Sequence, residues 1–416
     1  MAKIRAAPNR RVLVTGLFEP AALAVIRRLG PEGWHVTAAD GHRMAYGMYS
    51  RYVARRLKIP SLRLDPEGYV AALLREFSSG RCDLYFPTFE EVIPLSRVRD
   101  EVLRHVATVL PTPEEVLTFH DKALLGELAR RAGVGYPETW APRSEDEVRD
   151  LARTLNGPVV VKLRRGSGSA GMRRVEDPVD LPRVHAEVTR AYRLRPPLLP
   201  LVQRWIDGIT VCSLELAHRG EVIGQVLIRG LRTMPRDAGT TVLRECIEHP
   251  ACAEASRKLV GALGYTGFVG FDYVVERGSG KPHVVDANPR PTPALNLAQL
   301  GGCDLVGGWV AIAQGRDPPP LSPCPQGNRT RVHFGDWAWL AESLARSLRH
   351  PREEARLRRG WWRDRRTPDD VFQPRDPLPA LVLWAYIATH AHRLLSSSYD
   401  ATELFMFHNR YMEDAG

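Results

Sequence analysis

Residues 267–290, GFVGFDYVVERGSGKPHVVDANPR, decide the fold. Two runs rich in β-branched residues flank Gly278-Ser279-Gly280, and a glycine-rich turn between such runs predicts a β-hairpin. If the hairpin is symmetric about Ser279, Asp272 lies opposite Asp286, because each is seven residues from that serine. Like charges opposite each other destabilise a strand pair. The stretch therefore predicts two carboxylates that share a cation, in preference to two solvated turn acids.

An amide and a guanidinium follow the second aspartate on the same predicted strand. Asp286, Asn288 and Arg290 occupy alternate positions, so they share one face while the chain stays extended. Carboxylate and amide oxygens suit magnesium, which binds few protein ligands together with nucleotide phosphates. The predicted metal ligands are Asp272, Asp286 and Asn288, with Mg²⁺ as the expected ion and Mn²⁺ as an alternative.

The composition is that of a globular protein with an anionic partner. The chain has 416 residues, a formal charge of +10 and enough apolar material for two or three domains. Such a charge favours nucleotides, phosphates or acidic substrates. Only six of the 58 basic residues are lysines, and an ammonium is a compact point charge that a guanidinium does not mimic. Each lysine is therefore a candidate functional residue.

One lysine stands next to a glycine- and serine-rich segment. Lys162 ends the apolar run Pro158–Val161 and precedes the loop Gly166–Gly171. Backbone amides in such a loop can approach phosphate oxygens closely. The lysine precedes the loop and no G-K-[ST] follows, so the segment is not a P-loop. Lysine and loop together predict a nucleotide-phosphate site.

The first part of the chain alternates strands and helices. Short apolar runs and amphipathic stretches over residues 11–110 predict a parallel sheet covered by helices. The segment after Gly16 lacks G-x-G-x-x-G, so we expect no NAD site there. Asp40, Thr88 and Glu90 follow predicted strands and could line a substrate crevice.

Several function classes are excluded or disfavoured. The six cysteines form no C-x-x-C pair and have no zinc-type spacing, and no Ser/His/Asp or Cys/His signature indicates a covalent nucleophile. The N-terminus has no apolar signal region, and the longest apolar run, Leu378–Ala388, is too short to cross a bilayer. We therefore expect a cytoplasmic protein without a membrane partner.

The C-terminal part is rich in arginine and tryptophan. Arg356–Arg366 could suggest nucleic acid, but a helix that packs its tryptophans on the core and keeps arginines in water is preferred, so no nucleic-acid partner is expected. The apolar face of Pro379–Leu395 could pack on the body, on a partner subunit or on a membrane surface. Packing on the body or in a homodimer is the preferred interpretation.

The order of these motifs resembles the ATP-grasp superfamily over residues 111–305, and more loosely over 11–110. Each piece is a weak signal, but their order and spacing are specific. The pieces are Asp121-Lys122, Gly133–Pro137, Val159–Lys162 with its loop, Leu201–Gly208, Gly270–Asp272 and Asp286–Arg290.

The resemblance implies roles for individual residues. Lys122 and Lys162 would contact the phosphates of ATP, and Arg290 would hold the transferred phosphoryl group or the acid, so Lys162 and Arg290 are the catalytic candidates. The segment Leu201–Ile206 resembles the hinge strand whose edge binds adenine. The implied ATP-binding residues are Lys122, Lys162, Ser167, Gly168, Gln203, Arg204, Trp205, Ile206 and Thr210.

Two positions depart from the family pattern. Thr210 stands where a ribose-binding glutamate is common, and Asp207 could substitute for it. Asp272 stands where many relatives have Glu or Gln, so its reach is shorter. Neither change removes a metal ligand or a phosphate lysine, and an active enzyme remains the expectation.

Residues 232–241 resemble the substrate-facing loop of carboxylate–amine ligases. Because a guanidinium binds a carboxylate bidentately, arginines here could hold an acidic substrate, although a solvated surface charge is the commoner role for any one of them. The substrate candidates are Arg232, Thr240, Arg244 and Arg290, and Arg236 is a further possibility.

The combined expectation is an α/β and α+β protein of three parts. These are a Rossmann-like pre-ATP-grasp domain at 1–110, an ATP-grasp domain at 111–325 with a mobile lid at 124–200, and a helical extension at 326–416. The expected reaction uses ATP and Mg²⁺ to activate a small-molecule carboxylic acid as an acyl phosphate, which an amine then attacks. Alternatives are activation of bicarbonate as carboxyphosphate, activation of a vinylogous acid, or a nucleotide-binding module without turnover.

Overall fold

A computed structural model describes residues 10–166, 171–234, 236 and 240–394. The described residues form three β-sheets with helices packed against them. The predicted mixed α/β class is confirmed.

The first sheet is parallel, with strand order β3-β2-β1-β4. Its strands are β1 (Arg11–Val14), β2 (His35–Asp40), β3 (Val53–Lys58) and β4 (Leu84–Phe86), with helices α1 (Pro20–Leu29), α2 (Pro66–Ser78), α3 (Val92–Arg97) and α4 (Arg99–His105). Sequence patterns predicted β1, β2 and β4 but missed β3. That edge strand alternates half-buried with exposed residues and carries three basic side chains, so it lacks an apolar run.

The second sheet is antiparallel, with order β5-β8-β6-β7. It contains β5 (Thr139–Trp140), β6 (Val159–Lys162), β7 (Arg173–Val175) and β8 (Leu201–Arg204), and it follows α5 (Pro113–His120) and α6 (Lys122–Arg131). Two amphipathic helices, α7 (Glu145–Thr154) and α8 (Leu181–Ala191), cover it and share its apolar core. This unit occupies most of the predicted lid segment.

The third sheet is antiparallel, with order β13-β12-β9-β10-β11-β14. Its strands are β9 (Gly208–His218), β10 (Glu221–Met234), β11 (Thr240–Ile247), β12 (Gly267–Glu276), β13 (Pro282–Asn288) and β14 (Arg329–Arg331). The accompanying helices are α9 (Pro250–Leu263), α10 (Ala294–Leu300) and α11 (Leu305–Ala313).

The last part of the described chain contains three helices: α12 (His333–Arg346), α13 (Pro351–Asp364) and α14 (Leu378–Leu394). It is joined to the third sheet, because β14 pairs with β11. It also contacts the first domain, where the rings of Tyr386 and Phe18 lie 5.4 Å apart and Arg27 Nε donates to Asp376 Oδ2 at 2.9 Å. The predicted limits of the three domains remain a prediction.

Candidate active site

The hairpin that opened the sequence argument is β12–β13. Asp272 is paired with Asp286, as predicted, but the register shifts between Asp272 and Tyr273, so Val285 has no partner in the ladder. Such a bulge releases a backbone group from strand pairing. Here the carbonyl of Val285 accepts a hydrogen bond from Lys162 Nζ at 2.9 Å. The bulge thus links the hairpin to the second sheet.

The two aspartates bring two carboxyl groups to opposite positions of the hairpin. Burial, with the negative charge of Asp286 adding to it, raises the pKa of Asp272 to about 6, although Cys212 and Lys122 favour its ionised form. Asp286 Oδ1 accepts from Lys122 Nζ at 2.9 Å. One lysine therefore faces two carboxylates, and the pair can accept a further cation.

Lys162 is almost completely buried between the second and third sheets. Its Nζ donates to Gln203 Oε1 at 2.6 Å and to the Val285 carbonyl. Burial, with the charge of Lys122 adding to it, lowers the pKa of Lys162 to about 7, against the opposing effect of Asp286. A phosphate at this point would supply the anionic partner that the ammonium lacks.

Lys122 is the first residue of α6, and the preceding residue fixes its position. Asp121 caps the helix by accepting from Ala123 N at 3.0 Å, and it also accepts from Arg164 Nε at 2.8 Å. The Lys122 ammonium reaches the carbonyl of Gly166 at 3.0 Å. Asp121 therefore holds both the lysine and the chain after β6.

Asn288 and Arg290 follow Asp286. Arg290 Nη2 donates to Asn288 Oδ1 at 3.3 Å. The guanidinium carbon lies 4.4 Å from the ring centroid of Phe89, in the loop after β4. Arg290 thus sits where the third sheet meets the first domain.

The predicted adenine segment is only partly available at its edge. β8 pairs with β5 through Val202 and Gln203, and with β6 along its whole length. The ladder uses both edges of β8 at Val202 and Gln203, and the role of Leu201–Ile206 in adenine binding stays a prediction. Backbone groups beyond Arg204 remain the adenine candidates.

The other predicted nucleotide residues surround this segment. Gln203 Nε2 donates to Thr139 Oγ1 at 2.7 Å, and the exposed Arg204 pairs with Glu138 at 2.7 Å. Arg174 covers the ring of Trp205 at 4.2 Å. Ile206 is half-buried, Thr210 is exposed on β9, and Ser167 and Gly168 lie outside the described residues. Asp207, the alternative ribose ligand, is exposed and paired with Arg277.

The donor set fits a magnesium ion that is shared with a nucleotide. Across the described ranges, no three His, Cys, Asp or Glu side chains form a group suited to a metal ion. Two aspartates and an asparagine are instead the short oxygen set that Mg²⁺ uses when phosphates supply the remaining ligands.

Residues 119–294 match the family model of the ATP-grasp domain. This segment of the chain is therefore assigned to the ATP-grasp domain family. The match includes the three predicted metal ligands as well as Lys122, Lys162 and Arg290, while Phe89 lies outside it.

Known proteins resemble this part of the chain at low identity. The C-terminal section of the carbamoyl phosphate synthase large chain from Methanopyrus kandleri is 23% identical over 242 residues, which are 53% of this chain and 44% of that relative. The chain thus spans less than half of that relative's length.

Two solved structures share the fold. Biotin carboxylase from Campylobacter jejuni, solved with a β,γ-ATP ligand, has a TM-score of 0.64 and 17% identity, covering 77% of this chain and 74% of the other. L-amino acid ligase from Bacillus licheniformis has a TM-score of 0.57 and 15% identity, covering 74% and 75%.

Two of the arginines predicted to hold substrate have carboxylate partners within the chain. Arg232 Nε donates to Asp336 Oδ1 at 2.7 Å, and Arg244 Nη1 donates to Asp370 Oδ2 at 2.7 Å. Both partners belong to the C-terminal part, so these guanidinium groups hold that part on the sheet. We therefore omit both arginines from the proposed substrate site.

Arg236 and Thr240 lie in the predicted substrate-facing loop, and only Arg236 changes in interpretation. Arg236 Nη1 donates to Glu354 Oε1 at 2.7 Å, so it too binds the C-terminal helices. Thr240 begins β11 and pairs with Met234, and its proposed contact with substrate stays a prediction.

The ATP-grasp site continues into the first domain, where sequence reasoning was incomplete. Asp40 accepts from Leu17 N at 3.0 Å, and Thr88 Oγ1 donates to the Thr15 carbonyl at 2.7 Å, so two of the predicted crevice residues contact the loop that follows β1. Glu19 was missed: burial, opposed by Arg290, raises its pKa to about 7. Its place before α1, at the carboxyl edge of a parallel sheet, was the available signal.

Proposed function

We propose that this chain is an ATP- and magnesium-dependent ligase that activates a substrate carboxylate as an acyl phosphate and couples it to an amine. The observation that carries the proposal is the contact between Lys122 and Asp286 at 2.9 Å. It brings a phosphate-type cation and a metal-type carboxylate together, beside Asp272 and the second lysine, Lys162.

Each residue has a task in this scheme. Bound ATP would supply the phosphoryl group, with magnesium neutralising its charge. Asp272, Asp286 and Asn288 would hold the metal, and Lys122 and Lys162 would bind phosphate oxygens. Stabilisation of developing charge by fixed cations is the usual protein contribution to such a transfer.

Arg290 would hold the acid. Arg290 follows the end of β13, which carries Asp286 and Asn288, by two residues, and its guanidinium stacks on Phe89 of the first domain. A planar fork held in this way can bind a carboxylate through two parallel hydrogen bonds. The acid would therefore lie between the metal ligands and the first domain.

A second candidate is activation of bicarbonate as carboxyphosphate. The names of two relatives, a carbamoyl phosphate synthase and a biotin carboxylase, favour it. The site chemistry is the same in both cases, because bicarbonate is also an acid that a guanidinium can hold. The two candidates differ in the acid and not in the metal or phosphate ligands.

A screen of carboxylic acids against amines, with ADP release as the readout, tests the proposal. Hydroxylamine should trap the activated acid as a hydroxamate when the amine is omitted. ATP hydrolysis that responds to bicarbonate, and to no other acid, would select the second candidate. Absence of ADP formation with every acid, in a chain that binds ATP, would leave only a binding role.

Variants test the residues behind the activity. Asp286→Ala and Lys162→Ala should each lower ADP release by at least about a hundredfold, the usual cost of losing one electrostatic contact to a transition state. Asp317→Ala and Lys258→Ala remove the same side chains from exposed positions and should retain the activity. Near-normal rates in the first pair would reject the site.

A further inference from the structure

One surface of the C-terminal part carries most of the excess charge of the chain. We define the basic ridge as residues 344–366, which run from the end of α12 through α13. It contains nine arginines among residues 346–366 and only three acidic residues, a formal charge of +6, when the whole chain has +10. This concentration is not explained by a uniform abundance of arginine.

Six arginines of the ridge differ from those on the two helices of the second sheet, because they have no acidic partner among the described residues. On α7, Arg149 and Arg153 each pair with a carboxylate three or four residues away, and on α8 Arg183 pairs with two. No side-chain hydrogen bond or ion pair within the described ranges engages the guanidinium groups of six exposed arginines of the ridge. These are Arg349, Arg352, Arg356, Arg359, Arg363 and Arg366.

Exposed apolar side chains are interleaved with these charges. Leu348, in the turn between α12 and α13, is 91% exposed, and Trp362 is 58% exposed. The ring of Trp362 contacts Trp361, whose centroid lies 5.0 Å from that of the half-exposed Trp337. Leu344 and Leu357 are exposed as well. Burial of these groups would be favourable, so the ridge is suited to an apolar as well as an anionic partner.

The nature of the partner follows from the shape and the charge. Leu348 projects from a tight turn, so it needs a partner into which a single side chain can insert. A second copy of the same ridge would bring like charges together and is disfavoured. Nucleic acid would use the tryptophans and arginines but offers nothing to the exposed leucines. A membrane with anionic head groups accepts all three residue types.

We infer that the basic ridge is a peripheral docking surface for anionic lipid membranes. Arginines would contact lipid phosphates while Leu348 and Trp362 enter the boundary between head groups and acyl chains. No helix in the described part of the chain is long and apolar enough to span a membrane, so attachment would be at the surface. This inference is independent of the reaction that the active site performs.

Sedimentation with lipid vesicles tests the inference. The full chain should sediment with vesicles of phosphatidylcholine that contain 30% phosphatidylglycerol, and not with pure phosphatidylcholine. Binding should weaken as salt rises, because screening shortens the range of the surface potential. Equal binding to both kinds of vesicle would overturn the charge argument.

Two sets of variants separate the charge from the apolar contribution. Combined Arg352→Ser, Arg356→Ser and Arg359→Ser substitutions should weaken binding by about a hundredfold, at roughly fivefold for each arginine. Leu348→Ser should weaken it while leaving the salt dependence unchanged. Thermal unfolding and circular dichroism of each variant establish that the fold is retained.

A matched control removes the same charge elsewhere. Combined Arg149→Ser, Arg153→Ser and Arg183→Ser substitutions change the net charge equally but lie on the paired helices α7 and α8, and vesicle binding should be retained. Equal losses in both triple variants would show a response to net charge and reject the ridge. Binding to a single-stranded RNA 20-mer without binding to anionic vesicles would also reject it.

Discussion

Lys162 and Gln203 share one face of the second sheet and are joined by a 2.6 Å hydrogen bond between Nζ and Oε1. The family resemblance places Lys162 at the phosphates and near the adenine cleft, and Gln203 on the strand that binds adenine. Their direct contact couples the two ends of the proposed nucleotide site. The amide oxygen is a neutral acceptor, so it orients the ammonium without compensating its charge.

The pH dependence of the free energy of unfolding, measured without ligands, should depend on the protonation of Lys162. Its pKa in the folded chain is about 7, and that of an unfolded lysine is near 10.4. Between these pH values the unfolded chain binds more protons, so folding becomes more favourable as the pH rises from about 7 towards 10. Urea unfolding should show that the free energy of unfolding rises across this pH range in the wild type and does not rise in Lys162→Met. A constant difference between the two proteins would contradict the lowered pKa.

Replacing the neutral acceptor by a charged one should change this behaviour. Gln203→Glu places a carboxylate beside the ammonium, which favours the charged form of Lys162 and raises its pKa. The free energy of unfolding of Gln203→Glu should therefore begin to rise at a higher pH than that of the wild type. Gln203→Met, which has no charge, should not produce that movement. The same unfolding series measures both variants.

Arg290 should matter for the acid more than for ATP. Arg290→Ala removes the guanidinium that stacks on Phe89, and we expect kcat/KM for the acid to fall by about a hundredfold. ATP affinity, measured by calorimetry, should change little. Arg277→Ala is the control, because Arg277 is exposed and pairs with Asp207. A loss confined to ATP binding would contradict a role in holding the acid.

Arg244 should prove to be a stability residue. Its partner Asp370 is completely buried, and Arg244 itself is nearly so. Removal of one partner from a buried ion pair costs about 3–5 kcal/mol, so Arg244→Ala should lower the free energy of unfolding by that order. The exposed pair of Arg204 with Glu138 should contribute roughly 0–1 kcal/mol, which makes Arg204→Ala the comparison. A stable Arg244→Ala protein with a raised KM for the acid would restore the substrate role.

Contacts between residues close together in the sequence could be predicted, and contacts between distant residues could not. The opposition of Asp272 and Asp286 was predictable because the hairpin is local and its turn signals are strong. The bulge at Val285 was not, since it alters only one residue of the register. It is also the feature that allows Lys162 to reach the hairpin.

Ion pairs between residues far apart in the sequence changed the interpretation of Arg232 and Arg244, which had been predicted to bind substrate. Arg244 finds Asp370 across 126 residues and Arg232 finds Asp336 across 104. An arginine-rich loop has the same composition whether it binds a substrate or another part of its own chain. Only the placement of the C-terminal helices distinguishes the two.

The three-residue strand β14 gives the end of the chain a protective role. It covers the outer side of β11 from Leu243 to Glu245, which would otherwise present unsatisfied amide and carbonyl groups. A protein shortened before Arg329 would expose that edge as a template for intermolecular strand addition and would be prone to aggregate. Shortened forms of this chain should therefore keep β14 and the helices that follow it, and should not end in the proline-rich segment before Arg329.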